Sequence, residues 1–196
     1  MNKVFQNCML FVIIGGLIGC SSDTANEQQV DENSPAYHIA RITEMDDSLN
    51  ALVDRAMTEP GFVVDKLVYH EAINRNLAFF KAFPSHEFAQ RALENACSQY
   101  LEIGLEELGV QWIDTLLTRF PNHPNRAGYL EIQKSIFDNF DTYDPERIQY
   151  YCEQMLALGD ELPVEKREAI EFRLQHIDKN FEELIMLREE LSAMQD

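Results

Sequence analysis

Three features of the sequence predict an all-α chain built from antiparallel helix pairs. From Pro35 onward apolar residues recur three and four apart, and no stretch alternates apolar with polar residues between hairpin turns. Phe-Pro-x-His occurs twice, at Phe83-Pro84-Ser85-His86 and Phe120-Pro121-Asn122-His123, 37 positions apart (120 − 83 = 37), and a run with helical spacing follows each time. After Pro163 the chain contains neither glycine nor proline, so no helix breaker occurs there.

The first helix is expected over 36–58, with Ile39, Ile42, Met45, Leu49, Leu52 and Ala56 along one face. Pro60-Gly61 ends it. The second runs over 62–82 and stops before Phe83-Pro84, because a residue preceding proline disfavours helical geometry. Ser85 or His86 then caps the next helix. An antiparallel pair follows at 86–103 and 107–120, touching near Cys97 and Gly109. A further helix is expected over 124–140, and Asp144-Pro145 reads as an N-cap and first-turn proline opening a helix to Leu158. Beyond Pro163, the residues Ile170, Leu174, Ile177, Phe181, Leu184 and Leu191 predict one long C-terminal helix to Met194. A kinked pair hinged at Asp178-Lys179-Asn180 is the alternative.

The central pair resembles a tetratricopeptide repeat. Cys97 holds the small-residue site, Leu93 and Ala96 the apolar sites before it, and Tyr100 the aromatic site after it; Gly109, Ile113, Leu116 and Pro121 complete the second half. Thirty-seven residues earlier (109 − 37 = 72), Ala72, Phe79, Phe83 and Pro84 take the sites of Gly109, Leu116, Phe120 and Pro121, with Asn76 where Ile113 stands. After Pro124 the pattern decays, so the resemblance implies a short, degenerate solenoid.

With 196 residues, 45% of them apolar, the chain can bury one sizeable core. Its 34 acidic residues against 16 basic ones give a formal charge of −18, which repels phosphate backbones and anionic headgroups. Nucleic acid is therefore not expected as a partner, and membrane contact needs a separate device.

The N-terminus, MNKVFQNCMLFVIIGGLIGC, offers one. Lys3 is its only cationic side chain, and the apolar run Met9–Ile18 is too short to span a bilayer. Residues 1–19 read as a cleaved signal peptide. The run ends in Leu17-Ile18-Gly19-Cys20, which resembles the lipobox of bacterial lipoproteins; an ordinary secretory signal with a coincidental cysteine is the plainer reading. The resemblance implies a lipid on Cys20, and Ser21 after it implies sorting to the outer membrane of a Gram-negative bacterium, facing the periplasm. Residues 20–34 are a polar tether spanning roughly 20 Å, and 35–196 form the helical-repeat domain. Cys97 and Cys152 are then the mature chain's remaining thiols besides the lipidated one; buried free thiols are favoured over a disulfide.

No catalytic or metal-binding set emerges. His70-Glu71 and His86-Glu87 open like a zinc-protease helix but lack the second histidine, and the chain has no nucleophile elbow, phosphate loop or dinucleotide fingerprint. No cofactor is expected. The stretches LLTRFPNHPNRAGYLEIQ and FAQRALENACSQYLEIG resemble the repeat region of BamD-type outer-membrane lipoproteins, over about residues 62–140 plus the signal. That resemblance implies a non-catalytic periplasmic scaffold whose partners are envelope proteins, the outer-membrane assembly complex among them. Adaptors for envelope proteases, peptidoglycan enzymes or pilus assembly share the same architecture, and a carrier or hydrolase with an inter-helix pocket is the competing class. In the repeat register, Arg91, Glu94, Ser98, Leu101 and Glu102 project as a partner-binding face.

Overall fold

The computed structural model describes residues 31–193, and all its regular structure is helical. The expected signal peptide, the expected lipid site at Cys20 and the expected tether up to residue 30 lie outside the described residues. Eight α-helices follow in chain order: α1 (Pro35–Thr58), α2 (Lys66–Ala82), α3 (Ala89–Glu102), α4 (Glu106–Arg119), α5 (Arg126–Phe137), α6 (Pro145–Leu156), α7 (Val164–Gln175) and α8 (Phe181–Ala193).

Local chemistry fixes several boundaries. Ser34 caps α1 by accepting the Tyr37 N–H at 3.2 Å, and Pro35 occupies the first turn, where a missing N–H costs nothing. α2 begins at Lys66, later than the expected Phe62, because the Asp65 carboxylate accepts the Leu67 N–H at 2.9 Å and sets the first turn there. α3 ends in a Schellman turn. Gly104 takes φ 74°, which glycine adopts without strain, while the Leu105 N–H donates to the Tyr100 carbonyl and the Gly104 N–H to that of Leu101. Lys66 Nζ donates to the Ile103 carbonyl at 2.9 Å and ties this corner to α2. As expected, Asp144 caps α6, accepting the Arg147 N–H at 3.1 Å.

The two Phe-Pro-x-His segments form one turn written twice. Phe83 N–H donates to Phe79 O and Phe120 N–H to Leu116 O, both at 2.8 Å. His86 N–H donates to Phe83 O at 3.0 Å and His123 N–H to Phe120 O at 3.1 Å. Each imidazole Nδ1 then accepts the N–H two residues on, Phe88 at 3.1 Å and Asn125 at 3.0 Å. Neither Ser85 nor His86 is the N-cap expected of α3. The histidines instead act one step earlier, folding the turn that leads into α3 and α5.

The main core runs through α2–α7. Ile73, Leu93, Ala96, Cys97, Ile113, Leu116, Ile148, Cys152 and Met155 are essentially sealed from solvent. A smaller cluster of Ile42, Phe79, Ala89 and Ala92 lies under α1. Sites paired by the 37-residue offset are buried in both copies: Ala72 with Gly109, Asn76 with Ile113, Phe79 with Leu116. Asn76 survives there because its Nδ2 donates to the Ala72 carbonyl at 2.9 Å. Packing is dense between α2 and α3, α3 and α4, and α5 and α6, and thin between α4 and α5. The close approach at Gly109 is to Leu101, one turn beyond the expected Cys97: a Cβ there would fall 2.6 Å from Leu101 Cδ2. Cys97 and Cys152 are buried and unpaired.

Of the two C-terminal readings, the pair hinged at Asp178-Lys179-Asn180 is the one formed, and the single long helix is not. α7 stops at Gln175 and α8 starts at Phe181. Arg173, 4% exposed, explains the stop: its guanidinium donates to the His176 carbonyl at 2.7 Å and the Lys179 carbonyl at 3.1 Å while bonding Asp138. Tyr143 donates its hydroxyl to the Ile177 carbonyl. Asn180 and Glu183 then form a reciprocal capping box, Glu183 N–H to Asn180 Oδ1 at 3.0 Å and Asn180 N–H to Glu183 Oε2 at 2.9 Å, which restarts the chain as a new helix. α5 likewise ends at Phe137, short of 140, in a one-turn 3-10 segment at Phe140–Thr142.

Candidate functional site

Helix α3 carries the five residues expected to face a partner, and packing divides them. Arg91, Ser98 and Glu102 are exposed along one ridge. The Arg91 guanidinium lies 5.8 Å from the Phe88 ring, and Ser98 Oγ donates to Glu102 Oε1 at 3.3 Å. Glu94 and Leu101 face α4 and α5 instead. Leu101 fills the notch at Gly109, and Glu94 bonds both Gln90 Nε2, at 2.8 Å, and His123 Nε2. His123 Nδ1 already accepts the Asn125 N–H, so the ring proton sits on Nε2 and is donated to Glu94. The second turn is thereby tied to the middle of α3. Spacing alone missed this because Glu94 and His123 are 29 residues apart, and only the turn brings them together.

On the other side of α3, Asp46 of α1 accepts from Asn95 Nδ2 at 3.2 Å and Gln99 Nε2 at 3.5 Å. Burial raises the Asp46 carboxyl above its usual range, against the lowering by Arg91 and Gln99. The exposed ridge of α3 thus runs between a junction with α1 and a junction with the α4–α5 turn.

A cleft of about 500 Å³ opens where α4 meets α5 and α6, the thin seam of the packing. Asp114, Thr118, Arg126, Tyr150, Tyr151 and Gln154 line it with the apolar side of Leu117 and Leu130. Asp114 is exposed as a residue, yet its carboxylate takes the amide of fully buried Gln133 at 2.7 Å. Burial raises its pKa, opposed by Gln133 and by Arg147. Burial and then Asp114 push the Tyr151 phenol up as well. Arg126 donates to the Leu117 carbonyl at 3.2 Å, and Tyr150 remains 53% exposed at the rim. Residue spacing carries no signal for this cleft, since its residues are shared by three helices whose separation is set by tertiary packing.

No protein family, curated protein or solved structure matches this chain. Among the described residues no group of three or more His, Cys, Asp or Glu side chains is placed to hold a metal ion. His70 is exposed and His86 is taken up by its turn, so the two zinc-like openings do not converge. The Cys97 thiol is pushed up to about 12 and that of Cys152 to about 11, burial being the leading cause in each. Neither is activated as a nucleophile. Among the described residues, no helix is long and apolar enough to cross a membrane.

Proposed function

We propose that the chain is a periplasmic scaffold or adaptor, held to the outer membrane by a lipid on Cys20, which binds envelope proteins along a short tetratricopeptide-like array. The observation that carries this reading is the duplicated turn. Two segments 37 residues apart (120 − 83 = 37) make the same three hydrogen bonds in each copy, as consecutive units of a helical repeat do. Such units stack helix pairs side by side and leave one row of helices open to a partner, and the exposed α3 ridge of Arg91, Ser98 and Glu102 fits that use. The formal charge of −18 favours basic or neutral protein segments as partners. Assembly of β-barrel proteins is the process the family resemblance suggests; a protease, peptidoglycan or pilus adaptor would use the same surface.

The anchor and the partner are tested separately. Cys20→Ser should abolish labelling by a fatty-acid analogue, and unchanged labelling rejects the lipid. Mild crosslinking of the anchored protein, followed by purification and mass spectrometry, should capture an envelope protein whose yield falls as salt rises, since exposed charges are screened beyond about 10 Å at ~0.1 M ionic strength. Glu102→Lys and Arg91→Glu should each change that capture without loss of helix content. Hydrolysis of peptidoglycan or peptides that Asp114→Asn abolishes in a folded protein would replace the scaffold by a hydrolase using the α4–α6 cleft.

A further inference from the structure

A second cleft, about 470 Å³, lies between α5, α7 and α8, and its charge is opposite to that of the chain. Each helix contributes one stripe. α5 supplies Glu131 and Lys134 together with its C-cap Asp138, α7 supplies Lys166, Ile170 and Arg173, and α8 supplies Phe181, Leu184 and Arg188. Spacings of three, four and seven put each set on one helix face. Four of the chain's 16 basic residues therefore meet two acidic ones, a local balance of +2 (4 − 2) in a molecule of −18.

Two of the cations are already neutralised. Lys134 Nζ bonds Glu131 at 2.8 Å, and Arg173 bonds Asp138 at 2.9 Å. Lys166 and Arg188 have no carboxylate partner among the described residues. Both are exposed, and Arg188 is held over the Phe172 ring at 4.9 Å, which orients its guanidinium without satisfying its N–H groups. Beside them Ile170 and Leu184 form a buried apolar floor, and Phe181 stands 53% exposed at the rim. The cleft thus offers two unmatched cations next to an apolar surface.

We propose that this cleft binds an anionic amphiphile, an oxyanion joined to a short aliphatic group. The oxyanion bridges Lys166 and Arg188, and the aliphatic part lies on Ile170 and Leu184 under Phe181. Charge-assisted bonds from a guanidinium fork and an ammonium suit a carboxylate or a phosphate ester equally in kind. This site is independent of the α3 ridge and of the scaffold reading.

The experiment is calorimetric titration of the purified full chain, with titration into buffer alone as blank. The probes are hexanoate, hexyl phosphate, inorganic phosphate and hexanol. Hexanoate or hexyl phosphate should bind saturably, the tighter of the two naming the headgroup. Lys166→Met and Arg188→Gln should each weaken it roughly tenfold or more, as loss of a charge-assisted bond does. Arg55→Gln, at the far end of α1, should leave it unchanged. Both cleft side chains are exposed, so unaltered circular dichroism is expected and separates lost binding from lost fold. Hexanol binding as tightly as the anions, inorganic phosphate binding as tightly as hexyl phosphate, or full binding by both cleft variants overturns the proposal. So does the absence of saturable binding by either amphiphile.

Discussion

Replacing Arg173 by methionine tests the junction that stops α7. Its guanidinium holds Asp138 through Nε, at 3.0 Å to Oδ2, and Nη2, at 2.9 Å to Oδ1, and the two side chains are only 4% and 10% exposed. Methionine keeps much of the buried stem and removes the charge. Asp138 is then left nearly buried without a cation, a change that costs about 3–5 kcal/mol. The His176 and Lys179 carbonyls also lose a donor, but both residues are partly exposed and water replaces much of that loss. A domain of ordinary stability, about 5–15 kcal/mol, would lose a large share of it. Adding Asp138→Leu removes the orphaned carboxylate, and most of the stability should return, since apolar replacement of a buried ion pair is often neutral or better. The assay is urea unfolding followed by far-UV circular dichroism, with unchanged slopes confirming that the midpoints report stability. A single-variant loss below about 1 kcal/mol, or a double variant no better than the single, would refute the reasoning.

Gly109→Leu should cost roughly 1–3 kcal/mol by overpacking against Leu101, whose Cδ2 lies 2.6 Å from the site of a Cβ; Leu101→Ala in the same chain should return part of it, and urea midpoints of the four proteins give the coupling. Cys97 and Cys152, raised to about 12 and about 11, should resist maleimide at pH ~8 and react together only when urea unfolds the chain; rapid labelling of either in the native state contradicts their burial. Asp114 has a folded pKa raised above 3.8, so it stabilises the fold most when protonated, below that value, and this contribution is lost as pH rises through the folded pKa. Asp114→Asn, keeping Gln133's acceptor, should therefore be more stable than the native chain at neutral pH, with an advantage that fades as pH falls towards 3.8; an advantage that grows on acidification reverses the sign.

What could be read in advance was local. Asp144-Pro145 set the start of α6, and Phe83-Pro84 and Phe120-Pro121 ended α2 and α4, because caps and prolines act on the backbone within a turn. The repeated register correctly buried Ala72, Phe79, Ile113 and Leu116. The α3 face was legible only in part: helical spacing says that Glu94 and Leu101 share a face with Ser98, but not that His123 and Gly109 come to cover it. Asn180-x-x-Glu183 supports the hinge at Asp178-Lys179-Asn180, and apolar spacing alone makes no use of it. It has the spacing of a capping box, yet the apolar rhythm from Ile170 to Leu184 ran straight through it.

Rhythm lost to chemistry at that point because Arg173 has two demands on it. To reach Asp138 across from α5 it must be buried, and a buried guanidinium needs acceptors for its remaining N–H groups. The nearest are carbonyls of its own chain, at His176 and Lys179, and they can turn to it only if the helix has already ended. Ending α7 there frees α8 to leave at its own angle, which lays Phe181, Leu184 and Arg188 along the cleft with Lys166 and Ile170. A continuous helix would carry Phe181 and Arg188 away along the axis of α7. The break in the C-terminal pattern and the cationic cleft are therefore one event, so Arg173→Met should weaken amphiphile binding even though Lys166 and Arg188 are untouched. If binding survives in a folded Arg173→Met chain, the cleft does not depend on the break, and α8 is held in place by Leu184 and Phe181 alone.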